Sequence, residues 1–260
     1  MDGASTLTRA LRGAAGIALL LALWELTARS GLVNAASLPA ATGTLAAAAG
    51  MLTDAGFLQG VAETLAAWAL GLGVAALIAI PLGVAAGSIA PVRHAVNATV
   101  ELLRPIPSVA LIPAAILLLG RDLDMKVALA AYASAWPILI NAIYGVGEVD
   151  PVSRETARVF GFGRLGMLWR VILPAALPLI VTGVRIAAGF ALIVAISSEL
   201  LAGGGGIGGW MLERSQPGVP REQLYAGIVL TGLLGLAINA GLRLGEARLF
   251  PWRPQARVAA

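Results

Sequence analysis

Lys126 is the single lysine and His94 the single histidine of a chain with seventeen arginines and no cysteine. Without cysteine, disulfides and thiolate metal sites are excluded, and one histidine supplies too few nitrogen ligands for a zinc site. A phosphate loop of the form GxxxxGK[ST] needs a lysine followed by serine or threonine. Lys126 stands instead between Met125 and Val127. The glycines from Gly203 to Gly206 follow an apolar run, with no strand before them and no lysine to close a phosphate cradle. No Ser–His–Asp set assembles around His94. The residues therefore predict a chain that is not an enzyme and binds no cofactor or metal.

Polar side chains inside apolar runs are the next candidates. Arg185 lies ten residues after Ala175, about 15 Å into a helix at 1.5 Å per residue, where a charge must face protein or water. Glu199 returns to nearly the same helical face about 21 Å further on, so the two cannot pair directly. One reading places both along a translocation path, with Arg185 favouring an anionic solute. The other has each neutralised by a neighbouring helix. Ser134 and Asn141 are seven apart and share a face, while Tyr132 and Trp136 form another stripe. Such residues stitch helices together or line a path.

The longest polar connection, residues 147–174, carries a denser pattern. Asp150 suits an N-cap and Pro151 the first helical position, where no amide donor is needed. Arg154 and Arg158 are four apart, and Glu155 is placed to pair with Arg158. Gly161 can adopt the left-handed conformation that ends a helix. The pattern predicts a short helix, a turn, and a second short helix from Arg164 to Arg170 that stops near Pro174. Val152, Val159, Phe160, Phe162, Met167, Leu168 and Trp169 would remain exposed. That much apolar surface needs the bilayer interface or a protein partner.

These segments must be positioned by a membrane protein. Of the 260 residues, 58% are hydrophobic and 12% charged, half the charge a soluble surface carries. Six runs approach the length of about 20 residues that a bilayer requires. They are Ala14–Ala28, Thr64–Ser88, Val100–Leu119, Met125–Val146, Ala175–Leu201 and Leu224–Leu244. The first has the outline of a signal peptide, but Glu25 and Arg29 fit that poorly, and a retained span is expected. Residues 37–60 predict a short surface helix on the membrane after Pro39. Gly203–Gly206 and the stretch from Gln216 to Arg221 read as flexible connectors. Pro105, Pro107, Pro113 and Pro137 interrupt helical hydrogen bonding in the third and fourth spans, placing these near a path.

Of the 18 basic residues, twelve fall in inner loops and five in outer ones, with Arg185 inside a span. The bias puts both termini in the cytoplasm. The net charge of +4 is not gathered into a basic stripe, which argues against nucleic acid. The expected organisation is a first span with its surface helix over 1–60, a five-helix core over 61–246, and a tail over 247–260.

Glu155-Thr156-Ala157, then Gly161, then nine residues, then Val171-Ile172-Leu173-Pro174, resembles the EAA…G…I-LP loop of binding-protein-dependent ABC importer permeases. Thr156 and Val171 depart from the usual alanine and isoleucine. Leu103 to Pro113, Leu23-Trp24-Glu25-Leu26 and Gly183 to Ala187 resemble the aliphatic sulfonate, nitrate and taurine group of that family. The resemblance covers essentially the whole chain. It implies an all-α, type I importer-like permease in the inner membrane of a bacterium, working as a homodimer by alternating access. The implied partners are cytoplasmic ATPase subunits and an extracytoplasmic substrate-binding protein. Arg154, Glu155, Thr156, Ala157, Arg158 and Gly161 would meet the ATPase on a coupling helix, with Leu173 and Pro174 anchoring the return. A thiamine-precursor pyrimidine or an aromatic carboxylate is the alternative cargo. An ion-coupled secondary transporter is the rival class; it would need paired ionisable residues at mid-membrane, where only Arg185 is read.

Overall fold

The computed structural model describes residues 3–34 and 37–250, and among these there is no β-strand. Eleven α-helices follow one another: α1 (Gly3–Arg29), α2 (Ala41–Met51), α3 (Ala55–Ser88), α4 (Ala90–Leu103), α5 (Ile112–Leu119), α6 (Leu123–Gly147), α7 (Pro151–Val159), α8 (Arg164–Met167), α9 (Leu173–Ala202), α10 (Gly206–Arg214) and α11 (Arg221–Leu249). Five stretches are long and apolar enough to cross a bilayer, and α4 with α5 makes a sixth if the bent pair counts as one span.

The core is a close-packed trio of α3, α6 and α9. The buried face of α3 reads Gly60, Thr64, Ala67, Gly71, Ala75, Ala79 and Gly83, small residues at nearly every turn. Lipid tails are as apolar as leucine, so membrane helices associate through close van der Waals approach rather than through exclusion of water. A Cβ on Gly83 would lie 2.5 Å from the Ala142 Cβ of α6, and one on Gly183 of α9 would lie 2.7 Å from the Asn141 Cβ. Only glycine permits either crossing.

The third span is not the continuous helix expected from Val100 to Leu119. It starts earlier, at Ala90, and bends by 76° between α4 and a short 3₁₀ turn, Ser108–Leu111, that leads into α5. Pro105 and Pro107 lack the amides that would carry the helix through. The Tyr132 hydroxyl donates to the freed Leu103 carbonyl at 2.6 Å. Pro113 sits harmlessly in the first turn of α5, and α6 runs unbroken through Pro137. Only the first two of the four prolines interrupt a helix.

The α2 helix is more than a surface float. Ala41, Thr44, Ala48 and Met51 are buried, and Ala48 and Met51 join a cluster with Phe57, Trp210 and Met211. Glu25 of α1 accepts from the Thr42 amide at 3.0 Å and from Arg29 at 2.6 Å, so the two charges that fit a signal peptide poorly instead tie α1 to α2. The last span continues to Leu249, past the expected end at Leu244, and residues 251–260 of the expected tail lie outside the described residues.

Candidate functional site

The connection between α6 and α9 is built as its residues dictate. The Asp150 carboxylate accepts from the Val152 amide at 2.9 Å, and Pro151 occupies the first turn of α7. At the other end Gly161 has φ +77, the Phe162 amide donates to Ala157 O at 3.0 Å, and the Gly161 amide donates to Arg158 O at 2.9 Å. That pair of bonds is the Schellman closure, which needs a left-handed residue where glycine carries no Cβ penalty. A nine-residue helix is too short to persist alone. Here both of its ends are held.

Ala157 packs inward, while Glu155, Thr156 and Arg158 face outward. Val152, Val159 and Phe160 are exposed as well, Phe160 at 77%. Phe162, Met167 and Leu168 are half-buried, against the expectation that all would be exposed. The expected Glu155–Arg158 pair does not form. Arg154 turns back instead and donates through Nη2 to the Val146 carbonyl at the end of α6. The second short helix does not stop near Pro174 either. It passes from α8 through a π-helical turn, Leu168–Ile172, directly into α9, with Pro174 just after that turn, where the helical ladder is already interrupted. Leu173 is half-buried beside a cluster that contains Val146, Val149 and Ile172.

A second polar assembly lies at the opposite ends of α3, α6 and α9. Glu199 is fully buried, with 0% exposure. It accepts from the Thr64 hydroxyl at 2.9 Å and from the Gly208 amide at 3.0 Å, and Lys126 Nζ stands 3.4 Å away. Thr64 in turn accepts from the Ile207 amide at 2.9 Å. The first turn of α10 thus presents one free amide to a carboxylate, as helix N-termini favour, and another to the Thr64 hydroxyl. The glycine run before α10 is not a flexible connector. A Cβ on Gly209 would lie 1.7 Å from Gly204 O, and one on Gly206 2.1 Å from Glu199 Cδ.

Lys126, one of the five basic residues counted as outer although the fourth run opens at Met125, is buried here, and α10 has no counterpart among the expected segments. The signal for α10 was present in Ile207, Trp210 and Met211, spaced as one helical face. Arg185 pairs with Glu246 of α11 at 3.5 Å. Ionisable pairs inside the bundle are therefore more numerous than the single Arg185 read from sequence.

Of the residues considered for a path, Ser134 is buried and donates to Ala187 O at 3.3 Å. Asn141 lines an open cavity of about 480 Å³ with Arg104, Ser108, Tyr132, Trp136 and Phe190. Trp136 Nε1 is buried there without a hydrogen-bond partner. A second cavity of about 450 Å³ adjoins it, sharing Arg104 and Ile140 and reaching Tyr144 and Glu148. Together they mark one open face along α6, from the helix break toward the 147–174 loop.

Residues 79–250 match the family of binding-protein-dependent transport system inner membrane components. The chain belongs to that family. It is thus the multi-pass inner-membrane permease component of an ABC importer, a transport subunit. Such permeases work with an ATPase and a substrate-binding protein. Among relatives, the taurine transport system permease protein TauC of Escherichia coli is 32% identical over 242 residues, 91% of this chain and 87% of that one. The putative aliphatic sulfonates transport permease protein SsuC of Bacillus subtilis is 28% identical, over 91% of this chain and 85% of that one. The nitrate import permease protein NrtB of Leptolyngbya laminosa is 31% identical, over 76% and 71%. In fold, the permease matches a chain of the MetNI methionine ABC transporter in an inward-facing form, with a TM-score of 0.66 and 21% identity, over 74% of this chain and 95% of that one. The resemblance read from the 147–174 loop and from Leu103 to Pro113 therefore holds.

Proposed function

We propose that this permease imports a small anionic solute of the sulfonate, nitrate or taurine kind by alternating access. Two copies would pair so that their open α6 faces enclose the passage, with both termini in the cytoplasm. An ATPase subunit would dock on each α7 through Arg154, Glu155, Thr156, Ala157, Arg158 and Gly161. A substrate-binding protein would deliver cargo from the opposite side.

One observation carries this reading: α7 is capped at both ends yet presents an apolar outward face, Val152, Val159 and Phe160. A helix fixed in that way can be pushed as a body, and the push passes through the Arg154–Val146 tie into α6. Leu173 and Pro174 root the return in α9. Arg104 and Ser108 offer an anion N–H and O–H donors in a water-accessible break of the third span, an irregularity tolerated where backbone lines a cavity, while the Asn141 amide donates to Pro137 O at 2.8 Å. The aromatic walls of the same cavity, Tyr132, Trp136 and Phe190, favour a second reading, an aromatic carboxylate.

The test is a pair of variants, Glu155→Lys and Gly161→Pro, in membranes that also hold the ATPase. Both should insert normally and lose coupling of ATP hydrolysis to uptake. Unchanged uptake in both removes α7 from the mechanism.

A further inference from the structure

A cavity of about 980 Å³ lies away from the α6 face. It opens between the end of α3 and the α7–α9 connection, with walls that include Val84, Leu168 and Leu173. Arg154, Arg158 and Arg164 stand around it, and no acidic side chain lines it. Among the described residues none of the three arginines forms an ion pair. Arg154 Nε is buried without a hydrogen-bond partner. Trp169, also at the cavity, is 64% exposed, as aromatic side chains at a membrane surface are.

We propose that this chamber is a binding site for one anionic phospholipid, its phosphate held by the three arginines and an acyl chain laid along Val84, Leu168 and Leu173. Val84, Leu168 and Leu173 belong to segments long and apolar enough to cross the bilayer, and the chamber lies where the α3 segment ends and the segment leading into α9 begins. A protein segment entering it would bring backbone amides and carbonyls with no partners, which apolar surroundings penalise by several kcal/mol each. An acyl chain brings none. The three guanidinium groups, none of them in an ion pair, supply the headgroup selectivity, since a basic pocket between membrane helices attracts phosphate through charge and N–H donation together. The site shares Arg154 and Arg158 with the face of α7 proposed for the ATPase, would seat the coupling loop on the membrane beside that partner, and stands whether or not the α6 face carries anions.

Native mass spectrometry of the full chain, purified with whatever ATPase it retains, tests this with phosphatidylglycerol and phosphatidylcholine of identical chains. One phosphatidylglycerol per permease should be retained with a preference on the order of a hundredfold, each of the three arginines contributing about fivefold. The preference should vanish in the triple variant Arg154→Gln, Arg158→Gln, Arg164→Gln. Val84→Trp, which narrows the apolar wall and leaves the arginines, should weaken retention as well. Free glycerol phosphate should not displace the lipid. Equal retention of the two lipids by the unaltered chain overturns the proposal, as does displacement by glycerol phosphate. So does lipid loss on ATPase association, which would assign the chamber to the protein partner.

Discussion

Lys126 Nζ lies 3.4 Å from Glu199 Oε1 across 73 residues of sequence, and the same ammonium donates to Gly205 O at 2.6 Å. One cation thereby fastens the start of α6 to the end of α9 and to the glycine turn that launches α10. Both side chains are within 5% of complete burial. Removing one partner of such a pair strands the other in a low-dielectric interior, a loss of about 3 kcal/mol or more. Lys126→Met and Glu199→Gln should therefore each lower the thermal midpoint of the detergent-solubilised protein by several degrees. The double variant should recover part of that loss, because neither charge is then left alone. Additive losses in the double variant would show that the two residues act independently.

The glycine turn supplies a sharper contrast. At Gly209 an added methyl meets Gly204 O at 1.7 Å, whereas at Gly232 of α11 it meets nothing within 4 Å. Gly209→Ala should thus destabilise by more than about 2 kcal/mol, since backbone cannot yield as a flexible side chain can. Gly232→Ala should be neutral or stabilising by up to about 1 kcal/mol, from helix propensity alone. Fluorescence-detected melting of both variants measures the difference. Equal midpoints would return the segment to the flexible connector its composition suggests.

That reversal shows where the sequence was legible and where it was not. The ends of α7 were readable because Asp150, Pro151 and Gly161 act on amides within a few residues of themselves. The broken third span was readable as an interruption, because Pro105 and Pro107 lack donors wherever the chain folds. Its angle was not, since the bend depends on Tyr132, 29 residues from Leu103, whose hydroxyl meets the freed carbonyl. The glycine run was misread because glycine permits both mobility and close approach. Which one holds here is decided by Glu63 and Glu199, side chains that arrive from α3 and α9. Glu199 likewise gives no local hint that Thr64, 135 residues away, will meet it.

The absence of cysteine makes topology directly measurable. Single substitutions Arg158→Cys on the α7 turn and Ser215→Cys after α10 are separated by one long helical stretch, residues 164–202, that can cross the bilayer once. A membrane-impermeant maleimide applied to inside-out vesicles should label position 158 and spare 215. Right-side-out vesicles should show the reverse. Labelling of position 158 from the outside would place α7 beyond reach of any cytoplasmic ATPase and end the importer mechanism proposed for it.

The open α6 face makes the last prediction, and its control comes from the same helix. Trp136 lines the cavity, but its Nε1 is shielded from solvent and has no protein acceptor, a deficit worth about 1–3 kcal/mol that a solute relieves only by turning the ring toward the passage. Trp136→Phe keeps the ring and removes that donor, so the apparent KM for uptake of taurine or nitrate should rise about fivefold, the equivalent of one neutral hydrogen bond. Arg104→Gln removes a charged donor at the helix break and should raise it tenfold or more. Ser134 lies on α6 between Tyr132 and Trp136, but its hydroxyl is spent on the Ala187 carbonyl, away from the cavity. Ser134→Ala should leave KM where it was while slightly lowering stability. If Ser134→Ala raises KM and Trp136→Phe does not, the solute travels on the α9 side of α6, and the passage assigned to the Arg104 cavity is wrong.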